Sequence, residues 1–231
     1  MKKFLIFTVC LIVISSTFLF LFRDFIVKKT FESILSNNLN RTVEIGSFDV
    51  GYLSGEVNLE KIEINNKDFP GKLLIIDKAF AQLDALSFYG ETIEIENILL
   101  DGVRVNYFSD MSNRSNNNFN SLKRTLENKN RSNSKPDSKK FLIEKLDIKN
   151  INVSATSLEL NLTHKVVLND MKFTNLGNAK GSKNYNILAR EIIEIANREI
   201  KDKIKAGAFS EEVIKDKIKE QLKKKFKKLL K

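Results

Sequence analysis

The sequence predicts an α+β protein with three parts: an N-terminal transmembrane helix, a curved β-sheet with one apolar and one polar face, and C-terminal amphipathic helices. Three observations predict it. Residues 4–22 carry no charge. From residue 42 onward apolar residues recur at steps of two and three, a strand period rather than a helical one. From Leu188 the helical period returns and runs into a lysine-rich end.

The uncharged run comes first. As a helix rising about 1.5 Å per residue it spans roughly 29 Å, close to the hydrocarbon thickness of a bilayer. Lys2 and Lys3 precede it, and Arg23, Lys28 and Lys29 follow, placed to reach the two headgroup layers. A cleaved signal peptide is the rival reading. Against it, bulky residues from Phe18 to Phe22 stand where a small-residue cleavage site belongs. The single cysteine, Cys10, lies inside this run and excludes an intramolecular disulfide. Val9 before it does not suit lipoprotein processing. Phe31, Ile34, Leu35 and Leu39 then recur at helical steps, extending the anchor region 1–40 as an amphipathic helix.

The body carries one repeated spacing. Ile93, Ile95, Ile98, Leu100, Val103 and Val105 follow steps of 2, 3, 2, 3 and 2, and Phe141, Ile143, Leu146, Ile148, Ile151 and Val153 repeat them. Val57, Leu59, Ile62 and Ile64, like Leu74, Ile76, Ala79 and Ala81, carry the first three steps. A step of two keeps side chains on one face of a strand. A step of three flips the face unless a bulge or a turn absorbs one residue. Each unit is therefore a bulged strand or a strand turning into its neighbour. These units define β blocks at 41–108 and 141–180. Leu158, Leu160, Leu162, Val166 and Leu168 add an alternating strand. Between the blocks, 109–140 is dense in Asn, Ser, Lys and Arg and reads as a polar linker, with room for a short helix over 119–126.

Residues 185–231 read as basic amphipathic helices. Leu188, Ile192, Ile195, Ala196, Ile200 and Ile204 make one stripe, and Ala206-Gly207-Ala208 interrupts it. A second stripe begins after Ser210 and ends among Lys223, Lys224, Lys225, Phe226, Lys227 and Lys228, which are expected to lie on a membrane surface. The net charge of +10 is uneven: residues 41–110 hold 6 basic and 13 acidic side chains, so the body is acidic and the ends are basic. That placement argues against a nucleic-acid partner gripped by the body.

No reagent-like constellation stands out. His164 is the only histidine and falls in a strand pattern. There is no Cys/His cluster for zinc, no phosphate loop and no GxGxxG fingerprint. Acidic residues such as Glu94 and Glu96 alternate with Ile as on the wet face of a strand. The expectation is a protein that is not an enzyme and needs no cofactor.

The chain resembles the short, single-span members of the AsmA family of bacterial envelope proteins. The likeness runs through Arg41-Thr42-Val43-Glu44-Ile45-Gly46-Ser47-Phe48, Leu53-Ser54-Gly55-Glu56-Val57-Asn58-Leu59 and Ile62-Glu63-Ile64-Asn65-Asn66. It continues in Ile93-Glu94-Ile95-Glu96-Asn97-Ile98, Leu100-Asp101-Gly102-Val103-Arg104-Val105, and Leu168-Asn169-Asp170 to Asn175-Leu176-Gly177. Asn66-Lys67-Asp68-Phe69 departs from the Asn-Pro and Gly-Phe usual in that turn. The resemblance implies an inner-membrane anchor with a cytoplasmic N-terminus. It also implies a curved antiparallel β-sheet in the periplasm, shaped as a half-open gutter with an apolar groove for phospholipid tails, and no catalytic residues.

Taken together, the pattern makes membrane phospholipid the expected partner. The candidate lipid-facing residues are Val57, Leu59, Ile62, Ile64, Ile93, Ile95, Ile98, Leu100, Val103, Val105, Phe141, Ile143, Leu146, Ile148, Ile151 and Val153. Pairing of edge strands with a second copy or with an envelope protein is a further expectation. The alternative is a scaffolding module in which the helices after Leu188 close the sheet face.

Overall fold

The computed structural model describes residues 24–51, 53–109, 117–132, 140–157, 162–177 and 185–206, with Lys215, Asp216, Lys219 and Lys223. Helix α1 (24–39) leads into strands β1 (Val43–Gly51), β2 (Glu56–Asn65), β3 (Lys72–Leu83) and β4 (Thr92–Ser109). Helix α2 (Asn118–Ser132) precedes β5 (Lys140–Lys149), β6 (Ile151–Ser157), β7 (Leu162–Leu168) and β8 (Met171–Leu176), and α3 (Tyr185–Ala206) follows. A 3-10 turn (Ala85–Tyr89) joins β3 to β4, with the Asp84 carboxylate accepting from the Leu86 amide.

The eight strands form one open sheet. β1 to β4 are neighbours in chain order and pair antiparallel. Beyond β4 the sheet forks: β5 and β6 lie end to end along it, β5 pairing onward with β8 and β6 with β7. The expectation of a purely antiparallel sheet is corrected here. β5 and β6 run parallel to β4 at a constant offset of 48 residues. A parallel pair needs a long crossover, and the segment that carries α2 supplies it.

That register explains the repeated spacing. Val43, Ile64, Leu74, Val105, Val153 and Val166 stand opposite one another across six strands. Phe48, Leu59, Ala79, Leu100, Ile148 and Met171 do the same, as do Val50, Val57, Ala81, Ile98, Leu146 and Phe173. At the step of three between Leu100 and Val103, and at its counterparts in β1 to β3, one residue drops out of the ladder on both partners; at the Ile95–Ile98 step β4 omits Glu96 with Glu144 of β5 but alone against β3. Pairing passes over Gly46 and Lys61, Lys61 and Asp77, then Asp77 and Gly102, all at one level. Asn150, between β5 and β6, lies at that level too. Lys61, Gly102 and Asn150 have φ of 56°, 69° and 53°. The omitted residue restores the phase, so the apolar set stays on one face. A neighbour that omits a residue at the same height keeps its own apolar set on that face without a shift, which favours a shared spacing; where β3 does not match β4, the ladder shifts register between Gln82 and Leu83. Both readings of the repeat occur: β4 is one continuous strand, whereas the pattern from Phe141 to Val153 crosses the break between β5 and β6.

The polar segment 109–140 is also corrected in part. Its residues 118–132 form α2, whose Phe119, Leu122 and Leu126 are buried, so this stretch belongs to the packed body. Asn118 explains the use of asparagine. Its Nδ2 donates to Asn66 Oδ1 (3.1 Å) and to the Asn106 carbonyl (2.6 Å), and its Oδ1 accepts from the Phe108 amide (3.2 Å). A fully buried amide is tolerated because both its ends find partners.

Among the described residues no helix is long and apolar enough to cross a membrane. The expected anchor at 4–22 lies outside the described residues, as do most positions of the second C-terminal stripe.

Candidate functional site

The candidate site is the apolar face of the sheet and the helices laid against it. Each of the sixteen candidate lipid-facing residues falls on one of the cross-strand rows, or in register with one, and therefore on one face. Their burial differs. Leu59, Ile62, Ile64, Val103, Val105, Ile143, Leu146, Ile148, Ile151 and Val153 are buried in the main core. Val57, Ile93, Ile95, Ile98, Leu100 and Phe141 are half-buried.

The difference follows the helices. α2 packs on β4 and α3, and α3 also meets β7. Tyr107 and Phe119 rings lie 5.9 Å apart, and burial pushes the Tyr107 phenol up to about 12. The two helices are tied by Lys123 to Glu194 (2.8 Å) and by Asn197 Nδ2 donating to Asn120 Oδ1 (3.0 Å). Leu188 and Ile200 of the predicted stripe join the same core as the sheet, with Ile192, Ile193 and Ala196 packed against it. α2 thus lies on β4 and α3 reaches β7, where Val105, Tyr107 and Leu168 are buried. Toward the β1–β2 turn, Val50, Val57, Ala81, Leu83, Ile93, Ile95 and Ile98 remain half-buried.

Helix α1 is fixed to the β1 edge by side chains. Glu32 Oε1 accepts from the Ile45 amide (2.9 Å), Ser36 Oγ accepts from the Val43 amide (2.9 Å), and Lys28 Nζ donates to the Gly46 carbonyl (2.6 Å). These bonds occupy edge groups that otherwise invite a further strand. Burial disfavours the Glu32 charge, but the Lys29 ammonium (2.7 Å) and the Ile45 amide outweigh it and hold the carboxyl below its ordinary range. Phe31, Leu35 and Leu39 pack on the core, and the Phe31 and Phe48 rings are 5.7 Å apart.

The opposite face carries most of the polar side chains, with half-buried Ile75, Phe80, Leu99 and Leu142 among them. Asp77 receives a two-pronged bond from Arg104 (2.6 and 2.7 Å), and Lys72 bridges Glu44 and Glu63. A polar cleft of about 520 Å³ lies at the α2 end, lined by Asn40, Lys67, Asp68, Ser121, Arg124, Thr125 and Asn128. Beside it the buried Arg41 guanidinium donates to Ser121 Oγ (3.3 Å), which in turn donates to Asp68. Burial lowers the Arg41 pKa and nearby Asp68 raises it in part. His164 is exposed on β7. Among the described residues no three His, Cys, Asp or Glu side chains group to hold a metal ion.

Of the membrane-surface candidates, Lys223 is helical and exposed, while Lys224, Lys225, Phe226, Lys227 and Lys228 lie outside the described residues. Sequence reasoning passed over Phe48, Leu83, Met171, Phe173 and Leu176, which complete the rows. Their signal is positional: each stands directly opposite a residue of the repeated pattern.

No family model matches the chain, and none of the curated proteins compared with it matches its sequence.

Proposed function

We propose that this chain is a non-enzymatic, membrane-anchored envelope protein of the AsmA type whose sheet shelters lipid acyl chains. Such a role supports lipid transport or outer-membrane biogenesis. In this reading the 4–22 run sits in the inner membrane and the sheet stands in the periplasm. The observation that carries it is the set of continuous apolar rows, half-buried toward the β1–β2 turn, with most of the polar side chains on the other face. Apolar surface gains about 25 cal/mol per Å² when taken from water, so an acyl chain laid along these rows is favoured whatever its headgroup.

The test uses the full chain in vesicles containing a phospholipid with a photoactivatable acyl tail. Adducts are expected on peptides holding Val57, Ile95 and Ile98, and not on those holding Ile151 to Leu168. Absence of adducts anywhere on the sheet removes the lipid reading.

One observation favours a second reading. The α3 stripe, through Leu188 and Ile200, packs into the sheet core. A face closed in this way fits a scaffolding module for envelope assembly. That reading predicts no lipid adduct and a complex retained on purification.

A further inference from the structure

Two connections at one end of the sheet expose large apolar side chains. Leu53, in the β1–β2 turn, is 100% exposed, and Leu86 and Tyr89, between β3 and β4, are 78% and 91% exposed. The two connections are joined. Gln82 Nε2 donates to the Ser54 carbonyl (2.7 Å), and the Leu83 amide donates to the Gly55 carbonyl (3.0 Å). The three side chains therefore project from one rim. Exposed apolar side chains concentrated on adjoining loops mark a contact surface rather than scattered noise.

The direction of α1 says what that surface meets. Along α1, Ser36 meets Val43, Glu32 meets Ile45, Lys28 meets Gly46, and Phe31 packs on Phe48. The helix therefore runs antiparallel to β1, and its N-terminal end points toward the β1–β2 turn. Phe25 and Ile26 at that end are 59% and 47% exposed. The chain beyond it holds the 19 uncharged residues 4–22. The only long apolar run in the chain thus joins the body at the end where the loops carry exposed Leu and Tyr.

We infer that the rim formed by Leu53, Leu86 and Tyr89, with Phe25 and Ile26, docks on a lipid bilayer surface. The inference rests on the anchoring role proposed above for 4–22. The half-buried rows at Val57, Ile95 and Ile98 then open toward the membrane, and the helix-covered rows point away from it. Glu56, Asp84 and Glu91 near the rim offset Lys28 and Lys29 at the start of α1, so the apolar side chains and the interfacial preference of Tyr89 carry the docking.

The chain has no tryptophan, so a single introduced one reports its own surroundings. Full-length Leu53→Trp, Leu86→Trp, Lys67→Trp and Leu11→Trp variants are reconstituted into zwitterionic vesicles with brominated acyl chains. Lys67 lies in the exposed β2–β3 connection at the opposite end. Leu53→Trp and Leu86→Trp are expected to lose most of their emission, and Lys67→Trp to keep it. Quenching at Leu11→Trp alone overturns the docking and leaves the anchor standing. Quenching at Leu53→Trp and Leu86→Trp without Leu11→Trp supports docking and overturns the anchor. Equal quenching at Lys67→Trp, or none at any site, overturns the docking.

Discussion

Gly102→Ala should destabilise the sheet by about 1.5–3 kcal/mol, a cost built from a left-handed backbone and a displaced ion pair. Gly102 sits at φ 69° in β4, where a side chain costs about 1–2 kcal/mol. A Cβ placed there would stand 2.8 Å from Asp77 Cβ and 2.5 Å from Asp77 Oδ2. Asp77 must rotate away, and its paired bonds to Arg104 break. Both partners are near half exposure, so that pair contributes only about 0.5–1 kcal/mol. For a chain of this size the sum lowers Tm by roughly 3–12 °C. A double-mutant cycle separates the two parts. In an Asp77→Gly background the crowding is gone, and Gly102→Ala should cost about 1 kcal/mol less than in the parent. The assay is urea unfolding of the four proteins, followed by far-ultraviolet circular dichroism. A single-variant cost below about 0.5 kcal/mol, typical of an uninvolved surface site, refutes the aligned omissions as the source of the sheet's phase.

The same row yields a gain. Lys61 adopts φ 56°, so Lys61→Gly should raise stability by about 0.5–1 kcal/mol, after subtracting the entropy glycine adds to the unfolded chain; the urea midpoint reports it. The pH dependence follows from Glu32, whose folded pKa is depressed below its unfolded value. Its contribution is complete above the unfolded carboxylate pKa and disappears as pH falls through the folded one, so Glu32→Gln should flatten the stability curve below about pH 5. Ile200→Ala should cost about 2–4 kcal/mol because Ile200 is 1% exposed in the core. Ile195→Ala, half-buried on α3 and outside that core, should cost less than about 1 kcal/mol by thermal unfolding.

The step pattern was legible because in-register pairing favours a shared spacing; Ile95 and Ile143 stand opposite, and both strands omit a residue beside them. The direction of β5 was not legible. A strand reads the same parallel or antiparallel, and only the crossover distinguishes them. That crossover was obscured by composition: Asn117, Asn118 and Asn120 look solvated, yet Asn117 bridges to Ser109 at the end of β4, Asn118 bonds to Asn66 and Asn106, and Asn120 accepts from Asn197 of α3. Phe119, Leu122 and Leu126, at helical spacing, were the signal within it. The α1 stripe was readable at Phe31, Leu35 and Leu39. The burial of Glu32 was not, since beside Lys29 on its own helix its second partner is the Ile45 amide, which only the fold brings near.

The distribution of burial makes the apolar face testable by charge. Ile95 and Ile148 carry the same pattern in sequence but differ in the fold: Ile95 is half-buried toward the β1–β2 turn, and Ile148 is 7% exposed in the core. An aspartate at Ile148 is an uncompensated buried charge costing about 3–5 kcal/mol. The decisive measurement compares Ile95→Asp and Ile148→Asp by thermal unfolding and by photo-adduct yield with acyl-labelled phospholipid. The account predicts that Ile148→Asp unfolds the sheet, while Ile95→Asp leaves it folded and abolishes the adduct. An Ile95→Asp variant that takes up lipid like the parent, or one that unfolds as readily as Ile148→Asp, contradicts it.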